Sequence, residues 1–357
     1  MTDIVVIGGG VAGISAAARL SHLGNVTLIE AEAQTGYHSS ARSAALFEEN
    51  YGKPTTRALN AASRDFHENA NGGVLSPRGL MLLGAKDEAD GFAADVADMG
   101  LEQITTAEAR ALVPILSDYV DRAAYHAAAW DIDTDLLMQN WLRELRGNGG
   151  SVTTGARVET ITRTRAGWQL TTPAGDVTCR VIVNAAGAWA DQVAVSAGVR
   201  PLGLTPLRRS MARLAAPGGH AVSNWPMIFG PGESWYAKPD AGALLVSPAE
   251  EDLVDPHDAF ADDMTLAEGL ARYQEYVTPE VTRPVATWAG LRTFAPDRQL
   301  VLGRAVDAPT FIWCAGQGGY GFQTAPAASA LIADVVANRT PQLGADLAAA
   351  LSPARFG

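Results

Sequence analysis

Gly8, Gly10 and Gly13, with Gly9, Val11 and Ala12 between them, have the types and spacing that hold phosphates. Gly8 permits a tight turn, Gly10 lets the backbone approach a pyrophosphate, and Gly13 lets a helix pack close to a strand. A helix opening at this turn offers free N–H groups and the positive end of its dipole to the phosphates. Farther on, Glu30 is a carboxylate suited to accept hydrogen bonds from ribose hydroxyls. A glycine turn alone is a weak signal, so its flanking elements decide.

Those elements are legible. Ile4-Val5-Val6-Ile7 is a short β-branched run of the kind that forms a buried parallel strand. Residues 14–23 read as a helix stopped by Gly24, and residues 25–29 as a second strand ending at Glu30. Strand, glycine turn, helix, strand and acid together predict dinucleotide binding. Two later segments repeat the beginning of that pattern. Val181-Ile182-Val183 precedes Asn184-Ala185-Ala186-Gly187-Ala188-Trp189. Phe311-Ile312-Trp313-Cys314 precedes a run from Gly316 to Gln323 that contains Gly318, Gly319, Tyr320, Gly321 and Phe322. A helix is expected from about Thr324, with Pro326 tolerated in its first turn. Its N terminus would face the pyrimidine end of a flavin, where a reduced ring carries negative charge, and this points to FAD. The nucleotide fold is therefore spread along the chain and closed by its C-terminal part.

At these residues the chain resembles the FAD-dependent D-amino acid oxidase superfamily, which includes glycine oxidases, sarcosine oxidases and D-amino acid dehydrogenases. The likeness runs through the glycine turn, residues 36–45, Asp131-Ile132-Asp133-Thr134-Asp135, residues 198–204, Arg208-Arg209-Ser210, Trp225-Pro226-Met227, residues 236–242 and residues 287–292. It is greatest to the bacterial FAD-dependent D-arginine dehydrogenases. The resemblance implies an α/β fold: a Rossmann-type FAD domain from residues 1–75, 136–200 and 297–357, with an inserted α+β substrate domain from 76–135 and 201–296. That second domain would carry an antiparallel sheet over the flavin. Short alternating runs between residues 151 and 179, broken at Ala166-Gly167 and Pro173-Ala174-Gly175, read as hairpin strands in local agreement.

The resemblance also implies site residues. FAD, bound without a covalent link, would touch Gly8, Gly10, Val11, Ala12, Gly13, Glu30 and Ala31. Beyond these it would meet Ser39, Arg42, Ser43, Ala44, Ala45 and Val158, then Ala186, Gly187 and Trp189, and finally Gly318, Gly319, Tyr320, Gly321, Phe322 and Gln323. Arg209 and Arg292 match the positions that grip a substrate carboxylate, a task suited to the planar fork of arginine. Arg292 is the stronger choice, because its segment is poor in other charges. Tyr236 and Tyr51 match one tyrosine over the flavin and one on a mobile lid, here residues 48–54. Gln323 and the backbone of Gly290 would meet the substrate amine or the flavin. The implied reaction moves the Cα hydrogen of a D-amino acid to the flavin as hydride, and the imine hydrolyses to an oxo acid and ammonia.

Two positions depart from the D-arginine dehydrogenases. Leu80 stands where they carry a glutamate for the substrate guanidinium, and Leu46 stands where they carry a histidine. Both changes make the pocket apolar, so a shift toward small or apolar D-amino acids is expected. Glu48 and Glu49 complicate this, since either acid would suit a basic substrate. Leu245 occupies the place of the lysine that sarcosine oxidases set near the flavin, which favours a quinone acceptor over oxygen.

Bulk properties narrow the classes further. With 357 residues the chain is long enough for two cores. A net charge of −12 weighs against nucleic-acid and anionic-lipid partners. Residues 4–20 are apolar but lack a basic leader, no stretch reads as a transmembrane span, and Cys179 and Cys314 form no metal or redox motif. A cytoplasmic protein is the expectation. Asp131, Asp133 and Asp135 mimic a calcium loop, but Leu136 and Leu142 occupy its glycine and glutamate positions. Asp133 or Thr134 is instead expected to cap a helix stopping near Gly147. The six histidines form no metal-binding pattern, so no metal is expected. Gly232-Glu233-Ser234 is not a nucleophile elbow. The rivals are an oxidase of glycine, sarcosine or another secondary amine that makes hydrogen peroxide, a flavin-bearing binding protein without turnover, and an NAD protein.

Overall fold

Thr2–Ile7 is a strand whose inner residues are fully covered, and it pairs in parallel with Val26–Ile29 on one side and Gly175–Asn184 on the other. The computed structural model describes residues 2–357. Phe311–Ala315 joins in parallel beyond Gly175–Asn184, and Ser151–Thr153 joins beyond Val26–Ile29. The middle of this parallel sheet, Ile4 to Ile7 with Leu28, Ile29, Ile182, Val183 and Phe311 to Ala315, is apolar and buried, as a sheet covered on both faces requires. The helix Val11–Leu20 is buried nearly all round and packs against the long helix Gly321–Ala337, in a core to which Ala16, Ala17 and Ala18 of the first and Ala325, Ala327 and Ala328 of the second belong. Small side chains on both sides let the two helix axes approach closely, and both N termini then reach the same end of the sheet.

The hairpin strands Thr160–Thr164 and Gly167–Thr172 extend this same sheet, pairing antiparallel with the first half of Gly175–Asn184. They do not contribute to the roof over the cofactor. Alternation reveals an antiparallel strand but not which sheet accepts it, and Gly175–Asn184 is antiparallel at one end and parallel at the other.

The roof is a separate nine-stranded sheet. Its strands are Leu80–Gly84, Glu102–Ile104 and Arg122–His126, and then six more between Thr205 and Phe294. Thr205–Leu214 and Ala286–Phe294 form its longest pairing, with Arg209 opposite Gly290 and Leu207 opposite Arg292. Residues two apart on a strand share a face, so Arg209, Gly290 and Arg292 all point the same way. Met211, Tyr236, Leu245, Phe229 and Leu80 follow on that face through the strand register. The opposite face, with Ala212, Val246, Ala237, Ile228 and Met81, is covered by the helix Asp263–Tyr276 and its neighbours. A three-stranded sheet, Leu46–Phe47, Trp130–Ile132 and Leu75–Pro77, stands between the two large ones.

Several boundaries differ from expectation. The first helix runs over Val11–Leu20 rather than 14–23, because the helix starts directly on the glycine turn. The last helix begins at Gly321, not near Thr324, so Pro326 lies beyond the first turn. The helix Thr134–Gly147 begins as read, with the Asp133 carboxylate accepting the Leu136 N–H at 2.9 Å. No helix among the described residues is long and apolar enough to cross a membrane.

Candidate active site

A cavity of about 350 Å³ runs between the parallel sheet and the roof. Its first wall is the glycine turn. Gly8 has φ +107, and a Cβ there would stand 2.4 Å from the Ala185 carbonyl oxygen. A Cβ on Gly13 would stand 1.8 Å from the Gly8 oxygen, so only glycine lets this helix begin where it does. Gly8, Gly10, Val11 and Ala12 line the cavity, while Gly13 lies behind them as the packing residue. The Val11 N–H is held by Ser40 Oγ at 3.0 Å.

Glu30 and Ala31 line one end of the cavity. Glu30 accepts the Gly9 N–H at 2.6 Å on one oxygen and the Glu32 N–H at 2.8 Å on the other. It thus ties the turn to the second strand, and each oxygen keeps acceptor capacity for a ligand hydroxyl. Val158 lines the same stretch. Ala186, Gly187 and Trp189 form the next edge. Buried Asn184 shapes that turn by donating to the Ala190 carbonyl at 2.7 Å and accepting the Ala186 N–H at 3.3 Å.

Ser39, Arg42, Ser43, Ala44 and Ala45 cross beneath the roof and line the cavity. Their polar groups are largely engaged by protein. Ser39 Oγ donates to the Leu291 carbonyl at 2.7 Å, and Arg42 donates to the Ala259 and Ala289 carbonyls, each at 2.9 Å. Lys238, 8% exposed, donates from Nζ to the Ala44 and Ala45 carbonyls, each at 2.8 Å, and pairs with Asp131 at 2.8 Å. Burial lowers the Lys238 pKa, opposed by Asp131. Lys238 lies across the strand pair from Leu245, so the nearest roof lysine faces this backbone segment. Its role as an anchor was not visible in the sequence, because none of its partners is near it in the chain.

The far end of the cavity is the roof face with Arg209, Tyr236, Gly290 and Arg292, met by Gly318, Gly319, Gly321, Phe322 and Gln323 at the start of the last helix. Gly319 passes so near Arg292 that a Cβ would come within 2.9 Å of the guanidinium, and one on Gly318 within 2.3 Å of the Phe294 ring. Tyr320 does not line this cavity; it caps the helix and packs on Tyr51 with ring centroids 5.1 Å apart. Arg209 is 7% exposed, and one nitrogen reaches Glu251 at 3.4 Å while Nε and Nη1 find no partner. Among the described residues the Arg292 guanidinium has neither an ion pair nor a hydrogen-bond acceptor. Burial acts to lower its pKa, but Tyr236, Tyr51, Glu233 and Tyr320 around it outweigh that and the net direction is upward. Arg292 is therefore a fixed cation with its donors free.

A smaller chamber of about 100 Å³ opens beside Arg292. Tyr51, Glu48, Leu46, Leu80, Met99, Met227, Phe229 and Glu233 line it, and Tyr236, Arg292, Gly319 and Gln323 border both spaces. Burial, and then Glu233, hold the Tyr51 hydroxyl well above its ordinary pKa, so it is a neutral donor. Glu48 is 2% exposed; its carboxylate meets His126 Nδ1 at 2.7 Å and accepts the Asn50 N–H at 3.0 Å. Glu49 is turned away onto Arg64 at 2.6 Å. The base of the expected lid is tied down, since Asn60 Nδ2 donates to the carbonyls of Glu48, Glu49 and Tyr51. Glu233 was passed over in the sequence because it sits in a Pro-Gly turn, where an acid ordinarily faces water.

A family model described as FAD dependent oxidoreductase, DAO, matches residues 3–335. This chain belongs to the DAO family of FAD-dependent oxidoreductases. It is similar to a glycerol 3-phosphate dehydrogenase of Caloramator mitchellensis, 25% identical across 95% of this chain and 74% of that one. It is similar also to a glycine oxidase of Pseudomonas aeruginosa, 26% identical across 95% of each. The crystal structure of an L-proline dehydrogenase from P. horikoshii superimposes with a TM-score of 0.84 at 21% identity, across 99% of this chain and 97% of that chain. The three proteins are named for three different substrates, so their likeness does not choose a substrate for this flavoenzyme. The cavity fits FAD: glycine backbone and a helix N terminus lie where a pyrophosphate would sit, Glu30 stands at one end and the last helix at the other.

Proposed function

We propose that this flavoenzyme oxidises the amine of small or apolar D-amino acids, with FAD held non-covalently. The observation that carries the reading is Arg292: a half-buried guanidinium with no acceptor of its own, at the boundary between the cofactor cavity and a mostly apolar chamber. A guanidinium turned into a cavity with no acceptor on the protein is explained by an anionic ligand that desolvates and pairs it there. A carboxylate matches its fork, and Arg209 stands on the same sheet face and also lines the cavity. The substrate side chain enters the chamber against Leu46, Leu80, Met99, Met227 and Phe229. With leucines at positions 46 and 80, a guanidinium there meets mostly hydrocarbon, which disfavours D-arginine.

When bound, FAD supplies a hydride acceptor for the substrate Cα–H. The chain orients that bond. Arg292 and Arg209 hold the carboxylate, the Tyr51 and Tyr236 hydroxyls donate to it, and Gln323 with the backbone of Gly290 meets the amine or the flavin. Water then adds to the imine and hydrolyses it to an oxo acid and ammonia. Non-covalent attachment is supported by the cysteines, since neither Cys179 nor Cys314 lines the cavity. Leu245 in place of a lysine favours a quinone-type acceptor over oxygen. The chamber itself speaks against glycine, which has no side chain to fill it.

The test is an anaerobic screen of flavin bleaching over D- and L-amino acids. D-leucine and D-methionine should bleach the flavin faster than D-arginine and than their L forms. No bleaching by any amino acid refutes amine oxidation. Faster bleaching by D-arginine refutes the apolar preference, and rapid peroxide formation on glycine in air makes it an oxidase.

A further inference from the structure

One acid of the smaller chamber has no task in the reading above. Glu233 ends the turn Pro231–Glu233 with φ 53, a left-handed conformation that a non-glycine residue adopts at a steric cost. The turn is held from outside, where the Gly232 N–H donates to Asp95 at 2.7 Å. Held this way, Glu233 lines the chamber together with Arg292, Tyr51 and Tyr236. Among the described residues it forms no ion pair. The other acid lining the chamber, Glu48, is already matched by His126 and by the Asn50 N–H.

An amino acid enters such a site as a zwitterion. Its carboxylate is drawn to Arg292 and Arg209, but its ammonium lies only two bonds away and would be pressed toward the same cations. In a site of low dielectric that repulsion is large unless an anion stands on the other side. We infer that Glu233 receives the α-ammonium of an amino-acid substrate whose carboxylate lies on Arg292, while the side chain occupies the apolar part of the chamber. The Tyr51 hydroxyl, which lies beside Glu233 without substrate, gives way to the ammonium as donor. The site then favours ligands that carry an ammonium next to a carboxylate over plain carboxylates. This assignment rests on the proposed amino-acid substrate.

The test compares two ligands on the FAD-loaded Glu233→Gln variant: D-leucine, with affinity taken from anaerobic flavin reduction, and isocaproate, its counterpart without the amine, with affinity taken from perturbation of the flavin spectrum. The variant should hold D-leucine at least about tenfold more weakly, because the charge partner of its ammonium is gone. It should hold isocaproate more tightly, because an anion near Arg292 has been removed. Opposite signs exclude a merely structural effect, and the gain for isocaproate shows that the variant folds. Shifts of the same sign, or none, overturn Glu233 while leaving the carboxylate anchor standing. Loss confined to D-arginine and D-lysine, with D-leucine unchanged, makes Glu233 a reader of side-chain cations and also overturns the assignment. A wild-type protein that binds neither ligand overturns the anchor and this assignment together.

Discussion

Arg292 is the residue on which the proposed chemistry turns. Removing one side of a buried charge pair costs about 2–5 kcal/mol, so Arg292→Ala should weaken substrate or isocaproate binding by about two to three orders of magnitude. Arg292→Lys should recover only part of this, since an ammonium cannot present two parallel donors. Titration of the oxidised flavin spectrum with isocaproate measures both, and unchanged affinity in the alanine variant would remove the anchor. Leu80 tests the other end of the substrate. It is 4% exposed and lines the chamber, so Leu80→Glu places a carboxylate in hydrocarbon. The ratio of kcat/KM for D-arginine over D-leucine should rise by at least about tenfold, and a ratio that stays flat would mean the side chain does not lie there. At this scale the sequence spoke unevenly. Arg292 stood out because its strand carries little other charge, whereas Glu233 looked like any acid in a surface turn. Only the pairing of strands far apart in sequence aims both into one space.

At the scale of elements, the helix that ends the nucleotide site contains a break that another helix repairs. Pro326 has no N–H to give the Phe322 carbonyl, and the Ala327 N–H donates to Ser63 Oγ of the neighbouring helix at 3.1 Å. The Gln323 carbonyl lies 3.1 Å from His67 Nε2. Ser63 and His67 both belong to the helix Pro54–Asn69, so this helix holds the start of the last one and with it Gln323 at the cavity. His67 is fully covered, and its Nδ1 has no partner. Burial therefore lowers its pKa from 6.5 to about 4. The unfolded chain binds a proton at this histidine below about pH 6.5, and the folded chain does so only near pH 4, so stability falls as pH drops through that window. The loss from this one group is about 2 kcal/mol by about pH 5. His67→Gln retains a donor but not the titration, so its stability should fall less between about pH 7 and pH 5, by that same amount, in urea denaturation. Equal pH slopes for the two proteins would show that His67 is not the group responsible. None of this was readable in advance: Pro326 was placed in a first turn because the glycines at 318–321 looked like loop, and a lone histidine gives no sign of a partner 256 residues away.

For the molecule as a whole, the fold class followed from the first thirty residues because glycine spacing and strand pattern agree there at every level. The allocation of later strands did not, since a pattern of alternation says nothing about the sheet that will receive it. What joins the sheets is a set of bonds around the cavity, among them Ser39 to Leu291, Arg42 to Ala289 and Lys238 to Ala44 and Ala45. FAD bound in this cavity would act as one more tie. A ligand that binds only the folded state at about a hundred times its Kd adds about 2.7 kcal/mol. The flavin-free protein should therefore melt several degrees below the loaded one, and added FAD should restore the difference where NAD does not. Gly13→Leu places its side chain against the Gly8 carbonyl, which displaces the very turn that meets the pyrophosphate. That variant should purify without yellow colour and show no rise in Tm with FAD, while keeping a cooperative melt from the roof and its helices. A full FAD response in Gly13→Leu would mean that the cofactor lies elsewhere than against this turn.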